Sequence, residues 1–166
     1  GRFSCFDYPS RKLLFIGAGS GVTPLMSMSR WIVDTSTDVD VVMIVSAKNP
    51  ADIIFRKELE LMSSRHSGFR LFFTLTQSWC GVDAWTGLSG RCTPEMLSMV
   101  ARDLRQRHVF LCGPNAFMEA VKDGLRALEF PLENLHTESF HGKRVAQGVV
   151  PEPKVEEATE KITAAE

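Results

Sequence analysis

Short apolar segments alternate with helix-like segments along most of this sequence. Four runs rich in Val, Ile, Leu and Phe predict strands at residues 12–17, 39–46, 69–76 and 108–113, and residues 134–140 are a weaker fifth candidate. The four runs are nearly continuous in apolar residues, as is typical of strands buried on both faces of a parallel sheet. Because helix-like segments separate the strands, the sequence predicts an α/β fold with right-handed crossovers.

Helical periodicity marks the segments between these strands. Apolar residues recur at helical spacing over residues 23–33, 50–64 and 117–128, and each segment predicts a helix. Another helix is predicted to begin after Thr93, because a hydroxyl cap followed directly by proline is a common N-terminal signal. The connection at residues 77–92 is long and rich in Gly and Trp. Such a loop often contributes to a functional site.

Composition limits the classes of protein that this chain can represent. It has 166 residues, of which 44% are hydrophobic, and this suits one domain with a core and a tail. A formal net charge of −1 provides no attraction to nucleic acid or anionic lipid. No apolar run approaches the ~20 residues that a membrane span needs. We therefore expect neither a nucleic-acid partner nor a membrane span.

The cysteines and histidines do not form a metal motif. The four cysteines are widely spaced and include no CxxC pair, which is typical of reduced thiols in a cytoplasmic protein. His136 and His141 flank Glu138, but no further ligand follows the spacing of a metal motif. We expect no metal site built from this chain.

The two ends of the sequence predict a piece of a larger protein. Residues 1–140 contain the alternating pattern, whereas residues 141–166 are rich in Pro, Glu, Ala and Lys and contain few large apolar residues. A segment of that composition buries too little apolar surface to order itself. We expect residues 141–166 to be a disordered linker or tail. The absence of an initial methionine also suggests that the chain is a fragment.

Three glycines lie at the end of the first predicted strand, in the stretch FIGAGSGVTP at residues 15–24. A glycine-rich turn between a strand and a helix predicts a phosphate site, because the backbone can approach closely and the helix N-terminus favours negative charge. The stretch lacks the lysine of a P-loop. It also differs from the GxGxxG dinucleotide motif, since Pro24 replaces the last glycine and residues 46–49 supply no acid after the second strand. The missing acid also argues against an S-adenosylmethionine-dependent methyltransferase.

A second glycine turn, Cys112-Gly113-Pro114, follows the fourth strand and precedes a helix. We predict a doubly wound, five-stranded parallel sheet with strand order 3-2-1-4-5. In that order the first and fourth strands end side by side, at the crevice where the strand order reverses. The two glycine turns would then face one ligand.

Because it contains both glycine turns, the sequence resembles the NAD(P)-binding domain of the ferredoxin–NADP reductase superfamily. The resemblance runs from about Gly1 to Phe140. It includes AGSGVTPLMSM, NPADIIFRKELE, the WxGxxGR pattern at residues 85–91, CGPNAFMEAV and HTESF. Within the superfamily the sequence is most similar to NADH oxidoreductases with a C-terminal [2Fe–2S] ferredoxin domain, such as the reductases of hybrid cluster protein and of oxygenases.

The resemblance implies a division of roles among domains. An upstream β-barrel holds FAD or FMN, and the present domain binds NADH or NADPH. Hydride passes from the nicotinamide to the flavin. Electrons then leave one at a time to an iron–sulfur centre, either in a downstream [2Fe–2S] ferredoxin domain or in a partner redox protein. On this hypothesis the chain is a fragment of an NAD(P)H-dependent flavin oxidoreductase and is inactive alone.

The resemblance also assigns roles to residues of the two turns. Backbone amides of the first turn would bind the pyrophosphate, and Thr23 would lie near the nicotinamide. Cys112 would pack beside the reacting carbon, and Glu138 would poise hydride transfer. Phe140 would stack on the flavin until the nicotinamide displaces it. The coenzyme-binding residues implied at this end are Gly19, Ser20, Gly21, Val22, Thr23, Cys112, Gly113, Pro114, Met118 and Phe140.

The adenosine end is assigned to the ends of the second and third strands. The residues expected there are Ser46, Ala47, Thr76 and Gln77. A 2′-phosphate needs Arg or Lys, and residues 76–79 offer neither, so the sequence favours NADH over NADPH.

Two alternatives stay open beside this hypothesis. One is a nucleotide-binding or nucleotide-sensing α/β domain without catalysis, which would not need the set of nicotinamide-side residues. The other is the cytosolic arm of a membrane-bound ferric or oxidase-type reductase. The polar segment at residues 141–166 and the lack of a membrane span favour the version without a membrane part.

Overall fold

The chain folds into three layers, with one parallel β-sheet between two pairs of helices. The computed structural model describes residues 3–8, 10–35, 38–81 and 84–139. Every strand pairing among these residues is parallel. The elements, in chain order, are β1 Lys12–Ala18, α1 Val22–Asp34, β2 Asp40–Ala47, α2 Arg56–Arg65, β3 Phe69–Leu75, β4 Leu88–Ser89, α3 Pro94–Val100, β5 His108–Cys112, α4 Asn115–Ala127 and β6 Leu135–Glu138.

The sheet has six strands in the order β4-β3-β2-β1-β5-β6, not the five that the sequence predicts. The five expected strands are present in the expected relative order, with the reversal between β1 and β5. The additional strand, β4, has only two residues and pairs with the end of β3. Two residues are too few to produce a periodic signal, and they lie within the connection that the sequence leaves as a loop.

Both faces of the sheet are buried, which explains the nearly continuous apolar strands. Along β1, Leu13 and Phe15 contribute to the cluster that α1 and α2 cover. Leu14 and Ile16 point to the other face and pack with residues of α3 and α4. This alternation is the side-chain period of a strand, and apolar residues at every position reflect two cores, one on each side.

The second predicted helix starts later than expected, at Arg56 and not at residue 50. Pro50–Asp52 forms a separate short 3-10 turn, whose backbone amides donate to the side chain of Asn49. Phe55 then adopts a left-handed conformation with φ of 57°, which no continuous α-helix contains. The helix start expected after Thr93 is confirmed, because the Thr93 hydroxyl accepts a hydrogen bond from the amide of Met96.

A buried arginine ties together the amino-terminal ends of the central strands. Arg107 has no exposed surface and directly precedes β5. Its guanidinium forms ion pairs with Asp40 and Asp103, at 2.7 Å to each carboxylate. It also donates to the main-chain carbonyls of Leu13 and Asp40. This network lies at the opposite edge of the sheet from the two glycine turns.

The segment before β1 packs on β5 and β6, on the same face of the sheet as α1 and α2. Phe3 packs edge-on against Phe110 of β5, with ring centroids 5.5 Å apart. Tyr8 packs on His136 of β6, at 3.9 Å between ring centroids. His136 and His108 are joined by a hydrogen bond of 3.0 Å between their ring nitrogens.

The structure does not test the predictions for Phe140 and for the tail. Phe140 and the predicted tail at residues 141–166 lie outside the described residues, as do Gly1 and Arg2. Within the part of the chain that the structure describes, no helix combines the length and the apolar character needed to cross a bilayer.

Candidate nucleotide-binding site

The first glycine turn lies between β1 and α1, at the carboxyl edge of the sheet. Gly19–Gly21 forms a 3-10 turn that leads directly into α1 at Val22. Gly19 has a φ of +55°, and a Cβ placed on it would point into open space. The helix has no side-chain cap at its N-terminus. Amides there are directed toward a bound anion in nucleotide-binding domains, so the turn suits a phosphate group.

The second glycine turn touches the first one directly. In the sheet, Gly17 of β1 is the register partner of Cys112, the last residue of β5. A Cβ on Gly21 would overlap the carbonyl of Cys112 and lie 2.5 Å from the amide nitrogen of Gly113. Only glycine allows this approach, since the neighbouring atoms are backbone and cannot rotate away. The structure therefore brings together the two turns that the sequence places far apart.

Cys112 and Glu138 lie side by side on neighbouring strands. They are register partners in the β5–β6 pairing. Burial and, to a smaller extent, the negative charge of Glu138 raise the pKa of the Cys112 thiol to about 11, against a smaller lowering by the amide of Gly113. The thiol is therefore neutral near pH 7. Its side chain has no exposed surface, whereas Glu138 is half-buried.

A groove of about 690 Å³ opens beside these turns. It is bounded by the carboxyl ends of β1, β2 and β3 on one side and by the first turns of α4 on the other. Its lining combines apolar side chains with three charged ones. Residues that line it include Lys48, Asp52, Ile53, Ile54, Arg91, Cys92, Ala116, Phe117, Ala120 and Val121.

The structure divides the expected coenzyme-binding residues into three groups. Five of them line the groove, and most of the rest lie in the adjacent turns. Met118 instead packs in the apolar core between α4 and the sheet, with 4% of its surface exposed. Gln77 is exposed directly after Thr76. The five in the groove are Gly19, Ser46, Ala47, Thr76 and Pro114, and those in the turns are Ser20, Gly21, Val22, Thr23, Cys112 and Gly113.

Several residues that line the groove were not predicted from the sequence, and Arg91 is the most important of them. Residues 76–79, directly after β3, include no cation. The chain instead returns through β4 to pair with the end of β3, and Arg91 follows two residues later. The WxGxxGR pattern contains this arginine, so the pattern is the signal that could have found it. Asp52 and Lys48 enter the groove from the segment after β2.

Fold and site together define a class of protein. The groove lies where the strand order of a parallel sheet reverses, beside a glycine turn at a helix N-terminus, and this is where α/β domains bind nucleotides. The apolar side chains of Ile53, Ile54 and Phe117 suit an adenine ring, and Lys48 and Arg91 suit phosphate. The chain is thus a nucleotide-binding α/β domain.

Comparison with known proteins gives the family. Residues 15–123 match the oxidoreductase NAD-binding domain. The chain belongs to this family, within the ferredoxin–NADP reductase superfamily.

Relatives with curated names are reductases. The chain is 41% identical over 140 residues to the glycine betaine monooxygenase reductase subunit of Pseudomonas aeruginosa, covering 84% of this chain and 38% of that protein. It is 39% identical over 157 residues to the stachydrine N-demethylase reductase subunit Stc4 of Rhizobium meliloti, covering 92% and 44%. It is 33% identical over 133 residues to the NADH oxidoreductase HCR of Escherichia coli, covering 77% and 36%. The chain thus spans less than half of each of these relatives.

Solved structures share the fold. The CS-b5R domains of human Ncb5or, in an NAD⁺ form, superpose with a TM-score of 0.68 at 25% identity, covering 77% of this chain and 36% of that one. The Amycolatopsis cytochrome P450 reductase GcoB superposes with a TM-score of 0.68 at 21% identity, covering 81% and 39%.

Proposed function

We propose that this chain is the coenzyme-binding module of an NADH-dependent flavoprotein reductase, whose flavin, FAD or FMN, is held by a part of the protein outside this chain. The contact between Gly21 and the Cys112–Gly113 backbone carries the proposal, because it joins a phosphate-binding turn to a second turn beside Glu138. The coenzyme supplies a hydride, and the flavin accepts it. The residues of this chain bind and orient the coenzyme for that transfer.

The pyrophosphate is proposed to bind at the first turn. Backbone amides from Gly19 to Thr23 would donate to its oxygens, and the N-terminal end of α1 would favour its negative charge. Thr23 is exposed in the first turn of α1, so its hydroxyl is available on the nicotinamide side.

The nicotinamide is proposed to bind against the second turn. A neutral thiol at Cys112 offers a small, polarizable surface and does not compete as a base or nucleophile. Because this thiol has no exposed surface, the proposal requires it to become accessible when the coenzyme binds. Glu138 would orient the ring from the neighbouring strand. Phe140, outside the described residues, is proposed to cover the flavin until the nicotinamide replaces it.

The adenosine half is proposed to lie in the groove. The ends of β2 and β3 would contact the ribose and adenine through Ser46, Ala47, Thr76 and Gln77. We propose NADH as the coenzyme because the residues directly after β3 carry no charge. Lys48 and Arg91 also line the groove, and a 2′-phosphate would bind to them. Titration of both coenzymes decides between NADH and NADPH.

The electrons are proposed to leave through an iron–sulfur centre. Relatives named as reductase subunits of a monooxygenase and of a demethylase support an oxygenase as the final partner. A downstream [2Fe–2S] ferredoxin domain or a separate ferredoxin-type protein would accept electrons from the flavin. We place the whole assembly in the cytoplasm.

Anaerobic flavin reduction in the full-length protein tests the proposal. We expect NADH to bleach the flavin absorbance within one turnover, and a Cys112→Ala variant to slow this step at least tenfold with nearly unchanged coenzyme affinity. Cys5→Ala is the matched control, since Cys5 is also a buried thiol but packs in the core beneath α1. A full-length protein that binds NADH without reducing a flavin would instead support the binding or sensing domain. Equal reduction rates in the Cys112 and Cys5 variants would remove Cys112 from the site.

A further inference from the structure

Gly90, in the connection between β3 and α3, is hydrogen-bonded to the end of β3. Gly90 donates its amide hydrogen to the carbonyl of Leu75, at 2.7 Å. Its own carbonyl accepts a hydrogen bond from the hydroxyl of Thr74, also at 2.7 Å. Both polar backbone groups of Gly90 are thus bound to the end of β3, next to the two-residue strand β4.

Thr74 is a buried polar residue of β3, paired in register with the buried Ser46 of β2. Its surface is fully buried, and its hydroxyl bonds a carbonyl that lies 16 residues further along the chain. Valine has nearly the same shape and would fill the same space. The buried hydroxyl of Thr74 needs a partner, because a buried polar group without one is costly, and the carbonyl of Gly90 is that partner.

Gly90 turns the chain so that the next residue enters the groove. Its φ is +102°, a conformation that other residues rarely adopt, and a Cβ there would meet no neighbouring atom. Glycine is therefore needed for the backbone conformation and not for lack of space. Arg91 and Cys92, which follow the turn, both line the groove.

The first part of the same connection is anchored separately. The indole of Trp85 donates to the carbonyl of Leu88 at 2.7 Å, and its ring occupies the space that a side chain at Gly87 would need. The guanidinium of Arg56, on α2, lies 5.7 Å from the Trp85 ring centroid. Arg91 thus follows a segment that is held at Trp85 and again at Gly90, and the hydroxyl of Thr74 makes one of the two hydrogen bonds to Gly90.

We propose that Thr74 is a positioning residue for coenzyme binding, which acts through Gly90 to hold Arg91 where it meets a phosphate of the adenosine half. This inference rests on the proposed function. Thr74 touches no part of the groove itself, and it lies at the end of the sheet where β3 pairs with β4, not at the turns that hold the nicotinamide. Loss of its hydroxyl should therefore weaken binding and leave hydride transfer unchanged.

The test compares Thr74→Val, Thr74→Ser and Arg91→Gln in the full-length protein with its flavin. The readouts are KM and kcat for NADH and for NADPH, and the inhibition constant of ADP, which contains the adenosine and phosphates but no nicotinamide. We expect Thr74→Val to raise KM and the ADP inhibition constant about fivefold with unchanged kcat. Thr74→Ser, which keeps the hydroxyl, should restore both constants.

The double variant Thr74→Val/Arg91→Gln separates positioning from a general loss of structure. If Thr74 acts through Arg91, the Thr74 substitution has little further effect once Arg91 is gone. Additive effects in the double variant would overturn the proposal, as would a Thr74→Val protein with wild-type KM. Ser63→Ala is the matched control, because Ser63 also donates a hydroxyl to a carbonyl of β3, that of Phe69 at its other end, and should leave KM unchanged.

Failure of the proposed function can be distinguished from failure of the positioning role of Thr74. If the wild-type protein neither binds ADP nor oxidises NADH or NADPH, the proposed function fails, whatever the variants do. If Thr74→Val does not fold, Gly90→Ala tests the same turn, since it disfavours the backbone conformation of Gly90 and should displace Arg91 while both side chains, Thr74 and Arg91, are kept. A folded Gly90→Ala protein with unchanged KM and ADP inhibition constant would then overturn the positioning role.

Discussion

The backbone of Gly21 lies against the carbonyl of Cys112, with no side chain between them. This contact joins the turn after β1 to the turn after β5, and it leaves no room for a side chain at position 21. The two turns therefore form one continuous surface, on which we propose that the coenzyme binds, and their separation is fixed by backbone atoms.

Gly21→Ala should separate the two turns. The new methyl group would overlap backbone atoms of Cys112 and Gly113, which cannot rotate away, so one turn must shift. We expect coenzyme affinity to fall at least tenfold and the free energy of unfolding to fall by about 1–3 kcal/mol. Coenzyme titration and urea unfolding measure the two effects.

Gly124→Ala is the matched control for that substitution. Gly124 is buried in α4, but a Cβ there would make only ordinary contacts, the nearest at 3.5 Å to Pro94. Alanine favours a helix over glycine, so we expect a gain of about 0.5–1 kcal/mol and unchanged coenzyme affinity. A loss of affinity in both variants would show that glycine substitution, and not the contact between the turns, is responsible.

Cysteine alkylation should distinguish Cys112 from Cys80. Burial and the charge of Glu138 raise the pKa of Cys112 to about 11, so little thiolate forms at neutral pH. Cys80 is exposed in the β3–α3 connection. We expect iodoacetamide at pH 7.5 to modify Cys80 in the native protein and to spare Cys112, as followed by peptide mass spectrometry. Equal labelling of both thiols would contradict the burial of Cys112.

Protonation of Asp103 in acid should lower the free energy of unfolding. Burial alone would raise the pKa of Asp103, but hydrogen bonds from Arg107 and Lys12 outweigh it and lower the pKa to about 2. A carboxyl whose pKa is lower in the folded state stabilises that state above its unfolded pKa, near 3.8, and the stabilisation is lost as the pH falls toward 2. We expect Asp103→Asn to cost about 2 kcal/mol at pH 7 and less at pH 3, measured by denaturant unfolding at each pH.

Asp38→Asn is the control for the acid experiment. Asp38 pairs with Arg11 at 3.0 Å, but both side chains are almost fully exposed. Exposed ion pairs contribute little to stability, so this variant should match the wild type at both pH values. If the two Asp variants behaved alike, the buried position of Arg107 would not explain the effect.

Arg91→Gln should affect NADPH more than NADH. Arg91 lines the groove with Lys48, and the 2′-phosphate adds negative charge to the adenosine half. We expect the KM for NADPH to rise about tenfold and the KM for NADH about fivefold, because the adenosine-side phosphate is common to both coenzymes and only NADPH adds the 2′-phosphate. Arg102→Gln is the control, because Arg102 is exposed after α3 and does not line the groove. Equal changes for both coenzymes would place Arg91 on the pyrophosphate and not on the ribose.

Strand and helix positions follow from local patterns, which is why most of them could be predicted. The five longer strands are found within about two residues of their expected ends. Burial on both faces makes β1, β2, β3 and β5 nearly continuous in apolar residues, whereas β6 is shorter and more polar and gave the weakest signal. The helix that starts after Thr93 follows from a capping signal of only two residues. The late start of α2 was missed, since the left-handed Phe55 leaves no mark in the periodicity.

The amino-acid sequence by itself determined the α/β class, the positions of the five longer strands along the chain and the two glycine turns, because each depends on residues that are close in the chain. Tertiary structure alone decided which distant segments touch. It brought Gly21 against Cys112 and paired Cys112 with Glu138. It also returned β4 to the end of β3, so that Arg91 enters the groove. Those contacts depend on chain direction and packing in three dimensions, and no local pattern records them.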